Sequence, residues 1–477
     1  MENRIRNAAL RERLMTPDEA AALVENGMLL GTSGFTAVGY PKAFPIALAK
    51  RAEREPGFKV SLITGASVGD ELDGTLARAG ALDRRYPYQT NKSIRDAINA
   101  GSIRYVDMHL SHVPYWIKHN YFGKIDFAII EAAAVREDGS IVPTTSVGCS
   151  DVLVRYADKV IVELNTCVPE AIEGLHDIYT VEKIPNAQPI PLTRPRDRIG
   201  GTAIPCPPEK IAAILTCDIP DGNKELQEAD ETMHAIARNL IDFLKAEVEA
   251  DRLPLPLPPL QSGVGGVANA VLSCLEESDF TDLTVYTEVM QDAVIRLIQS
   301  GKVKMASGTA VTISPSGKAA FFEALPSLMD RLVLRPEEIS NSPEVIHRLG
   351  LIAMNTAIEA DLGGNVNSTH IGGRRVMNGI GGSGDFARNA GLTIFTTAST
   401  AKDGALSCIV PHVSHVDHTE HDVDVIITEQ GAADLRGLTP WERAERLIEQ
   451  CAHPDFRPGL RNYLEQAKAT KPGHGLP

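Results

Sequence analysis

Three glycine-rich segments and one glutamate are the main candidates for chemical function in this sequence. Three segments, residues 261–270, 359–369 and 378–386, are dense in glycine, which lets backbone amides approach a ligand closely and converge on an anion. Glu288 closes a short apolar run, 283–287. A carboxylate facing convergent amides suits acyl chemistry, because the amides can stabilise the oxyanion that forms when it attacks. The pattern makes Glu288 a candidate nucleophile.

The first glycine segment also allows a different interpretation. It matches Gly-x-Gly-x-x-Ala, and Glu288 then sits where a dinucleotide fingerprint places its ribose-binding acid. That fingerprint requires a strand directly before the first glycine, whereas residues 253–260 form a proline-rich connector that predicts none. What remains is either a phosphate-binding loop at the start of a helix or a plain helix-entry turn.

Two further motifs have weaker chemical content. Gly65-Ala-Ser-Val-Gly69 matches the serine-hydrolase elbow after a predicted strand, so Ser67 is an alternative nucleophile. No single histidine and acid stand out as its partners, and a strand-to-helix turn is the simpler interpretation. Residues 411–421 contain four histidines, but their spacing fits no paired-ligand motif, so we predict structural or polar roles and no metal site.

Composition limits the possible classes of protein. The formal net charge of -15 argues against a protein that neutralises nucleic-acid phosphates. No apolar run reaches the length of a membrane span, and the N-terminal residues do not resemble a secretory signal, so a cytoplasmic enzyme is expected. The seven cysteines are scattered without a Cys-x-x-Cys pair, which favours reduced thiols.

The order of segments predicts the architecture. Apolar runs that end in glycine loops, such as 28–34 and 59–65, alternate with helical segments, which indicates an α/β fold with largely parallel sheets. Prolines crowd residues 184–208 and 253–260, and apolar residues between 233 and 248 recur at helical spacing. We therefore predict two domains, residues 1–225 and residues 226–477.

A weak internal repeat indicates that the two domains are related. Residues 138–145 resemble residues 363–369, each is followed by a glycine turn that ends in aspartate, and residues 160–163 resemble 425–429. Convergent turn chemistry is the alternative explanation. Duplication predicts two related open α/β domains with an active-site cleft between the carboxyl ends of their strands.

Taken in order, these segments resemble the acetyl-CoA hydrolase/transferase family, and within it the bacterial succinyl-CoA:acetate and propionyl-CoA:succinate CoA-transferases. The resemblance runs nearly from end to end. The matching motifs are Gly31-Thr-Ser-Gly-Phe-Thr36, Ser61-Leu-Ile-Thr-Gly-Ala-Ser67, Gln261-Ser-Gly-Val-Gly265, Glu288-Val-Met-Gln-Asp292, Ser340-Asn-Ser-Pro343, Asn378-Gly-Ile-Gly-Gly-Ser-Gly-Asp-Phe386 and Ile427-Thr-Glu-Gln-Gly-Ala-Ala-Asp-Leu-Arg-Gly437.

The resemblance implies CoA-transferase-like α/β domains and a role for each matching residue. Glu288 matches the glutamate that forms a thioester with coenzyme A, and Asn341 and the Gly382 amide match oxyanion donors. Ser67 and Thr90 match positions near the carboxylate substrate. Further CoA contacts are expected at Gly263, Val264, Gly265, Gly266, Val267, Asn378, Gly382 and Lys402.

The same resemblance implies small-molecule substrates, namely acyl-CoA and a short carboxylate, with no tightly bound cofactor, no nucleic acid and no membrane. A homodimer is the common default. The chain departs from the family pattern at two places. The nucleophile of the wider superfamily often lies in the motif Ser-Glu-Asn-Gly, whereas this chain has Thr287-Glu-Val-Met. Residues 217–223 lack the arginines of the acetate/succinate enzymes. The acceptor acid therefore stays open, as do a hydrolase that uses the same glutamate and a non-catalytic CoA-ester sensor.

Overall fold

The computed structural model describes residues 3–225 and 228–469. The chain divides into two compact units. The first comprises Met1–Glu225, Thr284–Leu349 and Val376–Asp385, and the second comprises Leu226–Leu283, Gly350–Arg375 and Phe386–Pro477. The predicted domains share the break after residue 225, but both compact units are discontinuous, and Glu288 belongs to the unit that contains the N-terminal segment. The division at residues 1–225 and 226–477 stays a prediction.

The α-helices follow one another in short segments, most of them two to four turns long. They are α1 (Pro17–Ala22), α2 (Ala43–Arg54), α3 (Thr75–Arg78), α4 (Lys92–Asn99), α5 (His112–Lys118), α6 (Ser150–Tyr156), α7 (Glu231–Glu249), α8 (Gly266–Glu277), α9 (Asp292–Gln299), α10 (Lys318–Leu328), α11 (Glu337–Ser340), α12 (Pro343–Leu349), α13 (Ser383–Asn389), α14 (Pro440–Gln450) and α15 (Arg457–Ala469). A single π-turn, Asp70–Gly74, precedes α3 in the described residues.

The strands alternate with these helices along the chain. They are β1 (Leu29–Thr32), β2 (Val60–Thr64), β3 (Leu82–Tyr86), β4 (Arg104–Tyr105), β5 (Phe127–Ala132), β6 (Ala134–Val135), β7 (Ile141–Val142), β8 (Lys159–Asn165), β9 (Ile211–Cys217), β10 (Leu260–Ser262), β11 (Leu283–Tyr286), β12 (Val289–Gln291), β13 (Val303–Gly308), β14 (Ala310–Thr312), β15 (Leu332–Leu334), β16 (Ile352–Thr356), β17 (Glu359–Asp361), β18 (Val366–Asn367), β19 (His370–Ile371), β20 (Arg375–Val376), β21 (Leu392–Thr396), β22 (Thr400–Ala401), β23 (Leu406–Ser407), β24 (Ile409–Val410), β25 (Val425–Thr428) and β26 (Gly431–Asp434).

The first unit is built on a seven-stranded sheet in the order β4-β3-β2-β1-β5-β8-β9. Every neighbouring pair in it is parallel, with Leu30 opposite Leu62 across β1 and β2, for example. Strand β5 is buried along its whole length. Continuous apolar strands of this kind are typical of parallel sheets covered on both faces, so the predicted α/β class is confirmed.

The first unit also contains strands from the middle of the chain. Strands β15, β13 and β11 lie side by side, and β12 pairs with β14 in parallel. A small core beside them joins Phe35, Val38 and Ala66 of the N-terminal segment to Val289 and Ala310. This core fixes the segment around Glu288 against the N-terminal sheet's loops, because all five side chains are buried together.

The second unit has a sheet in the order β10-β16-β21-β25-β26, parallel except for the antiparallel pair β25–β26. Helix α7 coincides with the predicted amphipathic helix: Asp230 caps its N-terminus by accepting a hydrogen bond from the Met233 N–H at 2.8 Å. Ile236, Leu240 and Leu244 form its buried face.

A strand precedes the first glycine of residues 261–270, where the sequence analysis predicted none. Strand β10 directly precedes Gly263, and it pairs in parallel with β16 through Leu260 opposite Ile352. The prolines end at Pro259, so three residues suffice for the pairing that the connector was expected to prevent. The strand-turn-helix context is therefore present, and the argument against a dinucleotide fingerprint that rested on its absence was wrong.

The internal repeat has a structural counterpart. In each unit a parallel strand is followed by an antiparallel hairpin: β5 by β6–β7, and β16 by β17–β18. A short helix and another parallel strand follow: α6 and β8 in the first case, and α13 and β21 in the second, where β19 and β20 come in between. By position in the sheet, β8 corresponds to β21, so the resemblance of residues 160–163 to residues 425–429 is displaced by one strand.

Among the described residues, no helix combines the length and apolarity needed to cross a bilayer.

A buried cation organises the centre of the first unit. The Lys42 ammonium group is fully buried and contacts Glu131, Asp221 at 3.0 Å and the Tyr40 carbonyl at 2.8 Å. Burial by itself would lower the pKa of Lys42, but the two carboxylates outweigh it and raise that pKa well above its usual range. Lys42 therefore supplies a positive charge to two buried acids, and Asp221 has a second, longer ion pair with Lys318 at 3.9 Å.

Replacing Lys42 with methionine should destabilise the protein by about 3–5 kcal/mol, because it leaves Glu131 buried without its cation and Asp221 with only the longer pair to Lys318 at 3.9 Å. Urea unfolding followed by circular dichroism measures this. The matched control is Lys92→Met, which removes an exposed pair with Asp96 and should change stability by less than about 1 kcal/mol. Equal unfolding midpoints for the two variants would contradict the assignment.

Candidate active site

Glu288 lies two residues beyond β11, where the backbone holds it firmly. Its carbonyl oxygen accepts hydrogen bonds from the N–H groups of Thr309 at 2.8 Å and Ala310 at 3.0 Å, and the preceding Thr287 N–H donates to the Ser307 carbonyl at 2.9 Å. The residue keeps a partly exposed surface, while both chain neighbours are buried. Its side chain is therefore presented from a fixed backbone, with access for a second molecule.

The side-chain amide of Asn341 is the direct partner of the Glu288 carboxyl group. Asn341 caps the C-terminus of α11 and is fully buried. Its Nδ2 donates to Glu288 Oε1 at 2.6 Å, and its Oδ1 accepts from the Ser340 hydroxyl at 2.9 Å. Because the Ser340 hydroxyl occupies the amide oxygen, the nitrogen is the atom that faces Glu288.

A second carboxylate holds that amide in place. Asp385 Oδ2 lies 3.3 Å from Asn341 Nδ2 and accepts the Ser111 N–H at 3.0 Å, while Oδ1 accepts the Ser111 hydroxyl at 2.5 Å. One amide thus bridges two carboxyl groups. The arrangement fixes the direction of the Asn341 donor before any substrate binds, which is the property that an oxyanion-stabilising group needs.

Gly382 forms the wall behind the Glu288 carboxyl group. A Cβ atom at this position would lie 1.7 Å from Glu288 Oε1 and 2.5 Å from Asn341 Nδ2. Both distances are far below van der Waals contact, so only glycine allows the two side chains to meet here. The predicted trio Glu288, Asn341 and Gly382 is therefore brought together, all within the first unit.

The surroundings of Glu288 change its acidity. Burial raises the pKa of its carboxyl to about 8; the Asn341 hydrogen bond lowers that pKa and the charge of Asp385 raises it. Tyr88, whose backbone has a positive φ of 45°, lies nearby, and its pKa is raised to about 12 by burial and by Glu288 and Asp107. A nucleophile with a pKa near the working pH combines availability with basicity.

The glycine segment that carries Gly382 rests on the loop after β4. The Ile380 N–H donates to Asp107 Oδ2 at 2.7 Å. A Cβ on Gly379 would approach Asp107 within 2.5 Å, and one on Gly384 would approach the His109 ring within 2.3 Å. These close approaches explain why glycine is so dense here. In the same segment, Asn378 is half-buried and its Oδ1 has no hydrogen-bond partner in the described residues.

The two residues expected near the carboxylate substrate lie on loops of the first unit. Ser67 is fully buried, and its Oγ has no hydrogen-bond partner among the residues described. It lies on the loop after β2 and packs beside Gly34. Thr90 is exposed on the loop between β3 and α4. A buried hydroxyl without a histidine partner lacks the geometry of a serine nucleophile, which weighs against the Ser67 hydrolase alternative.

The remaining predicted CoA contacts belong to the second unit. Residues 263–265 link β10 to α8, and residues 266–267 begin that helix. The Gly263 N–H donates to the Met354 carbonyl at 3.0 Å, and Val264 is exposed. Lys402 lies at the exposed turn between β22 and β23. Each is accessible for a ligand within its own unit, and their role toward CoA stays a prediction.

The histidine-rich segment, residues 411–421, disperses its rings over different neighbours. His412 Nε2 lies 2.7 Å from the Tyr463 hydroxyl, the His415 ring stacks on His370 with centroids 3.9 Å apart, and His418 is buried against Phe395. Within the part of the chain that the structure describes, no group of three or more histidine, cysteine or acidic side chains could hold a metal ion.

Sequence reasoning missed Asp385, Ser111, Tyr88 and Glu337. Asp385 had a signal, because it lies near the end of the quoted glycine segment and glycine-aspartate pairs often shape binding turns. Ser111 and Tyr88 sit in loops without a recognisable motif. Glu337 also lies outside any recognisable motif, although it is four residues before Asn341 and begins the helix that Asn341 caps.

Comparisons with known proteins show the family of the chain. Residues 1–216 match the acetyl-CoA hydrolase/transferase N-terminal domain, and residues 317–464 match the C-terminal domain of the same family. A succinyl-CoA:acetate CoA-transferase of Clostridium kluyveri is 52% identical over 99% of this chain and 88% of its own. An acetyl-CoA hydrolase of Schizosaccharomyces pombe is 45% identical over 98% of this chain and 92% of its own.

The fold agrees as well. The crystal structure of RipA from Yersinia pestis superimposes with a TM-score of 0.73 at 25% identity, covering 96% of this chain and 98% of that one. The chain is an enzyme that belongs to the acetyl-CoA hydrolase/transferase family, as the resemblance of its motifs predicted.

The carboxyl group of Glu288 should be half-ionised near pH 8, and Asn341→Ala should raise this midpoint, because the lost hydrogen bond had stabilised the charged form. Infrared difference spectra between the wild type and Glu288→Gln, recorded across the pH range, follow the carboxyl band directly. The control Asn26→Ala removes an exposed amide that bonds only the Lys59 backbone in the described contacts, and it should leave the midpoint unchanged. A midpoint near the ordinary glutamate value would refute the assignment.

Proposed function

We propose that this protein is an acyl-CoA:carboxylate CoA-transferase that works through a glutamyl-CoA thioester on Glu288. The observation that carries the proposal is the position of the Glu288 carboxyl group, held by the Asn341 amide against the bare backbone of Gly382. Its high pKa makes it a stronger nucleophile, once ionised, than an exposed glutamate. The substrates fit acetate-, succinate- or propionate-type acids.

The first half-reaction moves CoA onto the enzyme. The ionised Glu288 carboxylate attacks the thioester carbonyl of acyl-CoA, the C–S bond breaks, and CoA leaves as the thiolate, giving an acyl-glutamyl anhydride. The thiolate then attacks the Glu288 carbonyl carbon, which forms glutamyl-CoA and releases the first acid as its carboxylate. Each step passes through a tetrahedral oxyanion, for which Asn341 Nδ2 and the Gly382 N–H are the proposed donors.

The second half-reaction reverses the first with a new acid. The acceptor carboxylate attacks glutamyl-CoA, CoA leaves again as the thiolate, and the thiolate takes the acyl group from the mixed anhydride, which regenerates the Glu288 carboxylate. Thioester energy is conserved because no step uses water. Residues 263–267, Asn378 and Lys402 are the proposed CoA contacts, and Ser67 and Thr90 are proposed to face the carboxylate substrate.

An acetyl-CoA hydrolase that uses the same glutamate is the second candidate, supported by the 45% identity to the Schizosaccharomyces pombe hydrolase. The two functions differ only in whether water or a carboxylate resolves glutamyl-CoA. The 52% identity to the Clostridium kluyveri transferase favours the carboxylate. A cytoplasmic location and a homodimer complete the proposal.

Incubation with acetyl-CoA and no acceptor acid should add one CoA to the protein, because the first half-reaction needs no acceptor. Intact-mass measurement and peptide mapping should place the adduct on the peptide that contains Glu288, and Glu288→Ala should form none. Glu323→Ala, which removes another glutamate of the same unit, is the matched control and should still be labelled. An adduct on another residue would refute the mechanism.

Adding an acceptor acid in the same experiment distinguishes the transferase from the hydrolase. Adding acetate, succinate or propionate should discharge the adduct and yield the corresponding acyl-CoA, while CoA release without an acid stays slow. Rapid release of free CoA without any acid would establish the hydrolase and exclude the transferase. A protein that binds acyl-CoA but neither forms an adduct nor turns it over would be the sensor.

Gly382→Ala should slow adduct formation by about 100-fold while leaving the protein folded, because a Cβ atom there occupies the space of Glu288 Oε1 and displaces the carboxyl group. Displacement of a nucleophile by about 1 Å typically costs about 100-fold in rate. Gly459→Ala is the control: a Cβ at this helical position meets no atom within 4 Å, and the rate should not change. Single-turnover adduct formation measures both, and a Gly382→Ala variant as fast as the wild type would contradict the geometry.

A further inference from the structure

A second glutamate lies beside the proposed nucleophile without a partner of its own. Glu337 begins α11, is fully buried, and neither Oε1 nor Oε2 has a hydrogen-bond partner among the described residues. An ionised carboxylate in such surroundings would carry the full cost of lost hydration. The neighbouring acids Glu288 and Asp385 each have a donor, Asn341 for the first and Ser111 for the second.

The space around Glu337 shows that its position is built into the fold. Its Oε2 lies over Gly65, where a Cβ atom would come within 2.5 Å, and its N–H donates to the Gly148 carbonyl at 2.8 Å. The requirement for glycine at position 65 thus comes from the approach of this side chain, whereas Gly69 makes room for the Tyr40 ring. Gly65 makes room for Glu337, and no serine-hydrolase chemistry is needed to explain it.

The charges around Glu337 are nearly all negative. Glu337 interacts electrostatically with five titratable groups, namely Glu288, Asp385, Asp151, Glu338 and Cys149. The cation that reaches this helix, Lys118, is already paired with Glu338 at 2.6 Å. Burial, followed by the charges of Glu288 and Asp385, raises the pKa of Glu337 well above its usual range.

Glu337 is also coupled to the oxyanion donor through the backbone. The Asn341 N–H donates to the Glu337 carbonyl at 2.9 Å, which closes the single turn of α11. A charge on Glu337 would repel the Glu288 carboxylate. It would also oppose the entry of an acceptor carboxylate.

We propose that Glu337 is a positioning residue of the active site that works only as the neutral carboxylic acid, so that its ionisation ends activity at alkaline pH. This rests on the proposed function, because it assumes that Glu288 attacks as a carboxylate. Loss of the Glu288 proton then turns the rate on as the pH rises, and loss of the Glu337 proton turns it off at higher pH. The two ionisations have opposite consequences for the same reaction.

The test is the pH dependence of single-turnover glutamyl-CoA formation from acetyl-CoA, compared between the wild type and Glu337→Gln. The amide keeps the shape and neutrality of the acid but cannot ionise. Its rate should equal that of the wild type within about twofold at the pH optimum. The wild type should fall about tenfold per pH unit on its alkaline limb, and the variant should lose that fall or show it at least about one unit higher.

The controls show whether the alkaline limb belongs to Glu337 itself. Asp424→Asn neutralises another acid whose pKa is raised by burial; Asp424 belongs to the second unit and is not among the groups whose charges act on Glu337, so this variant should keep the wild-type alkaline limb. Circular dichroism at each pH excludes unfolding as the cause. If Glu337→Gln does not fold, Glu337→Met supplies a neutral side chain of similar length and should give the same result.

The outcomes are distinguishable from those of the proposed function. If the wild type forms no glutamyl-CoA at any pH, the proposed function fails. If it forms the adduct and Glu337→Gln or Glu337→Met retains the wild-type alkaline limb, only the role of Glu337 is overturned. A folded Glu337→Gln variant slower by more than about tenfold at its optimum would overturn it too, because neutrality and shape would then be insufficient.

Discussion

The hydrogen bond from Asn341 to Glu288 is the interaction on which the site depends. At 2.6 Å it joins a carboxyl group that protein atoms surround to the only side-chain donor that reaches it in the described residues. Without this donor the charged form of Glu288 would be still harder to reach, since burial has already raised its pKa to about 8. The remainder of the site serves to keep these two groups in contact.

Three separate segments of the first unit maintain that contact. The end of β11 fixes the Glu288 backbone, the turn of α11 fixes Asn341, and the glycine segment supplies Gly382 as a wall and Asp385 as the second holder of the amide. Residues 350–375, which belong to the second unit, separate the glycine segment from α11 in sequence, yet both lie in the first unit. A chain division into two continuous halves hides this arrangement.

A structural feature could be predicted from the sequence when its pattern is local, and it was missed when it depends on residues distant in the chain. Parallel strands and the long helix α7 were predictable because their patterns are local: apolar runs before glycine, and Ile236, Leu240 and Leu244 at helical spacing. Strand β10 was missed because its three residues owe their conformation to pairing with β16, a partner far along the chain. Local propensity contains no information on such a pairing.

The site divides in the same way. Glu288, Asn341 and Gly382 were identified from family motifs, whereas Ser111 and Glu337 acquire their significance only from neighbours distant in sequence, Asp385 in one case and Gly65 in the other. Glycine was the most informative residue, but its meaning was ambiguous. Gly382 makes room for Glu288, and Gly65 makes room for Glu337. Neither reason is apparent until the neighbouring side chain is located.

The three acids of the site differ in the number of hydrogen-bond donors that they receive. Asp385 receives two hydrogen bonds from Ser111 and shares the Asn341 amide, Glu288 receives that amide, and Glu337 receives no donor in the described residues. Three carboxylates this close cannot all be charged in a buried setting without large repulsion. Donors therefore select which group carries the charge. Under the proposed function, the donors best support a charge on Asp385, leave the proposed nucleophile Glu288 ionisable and give Glu337 no support for a charge, so identical functional groups differ through their hydrogen-bonding environments.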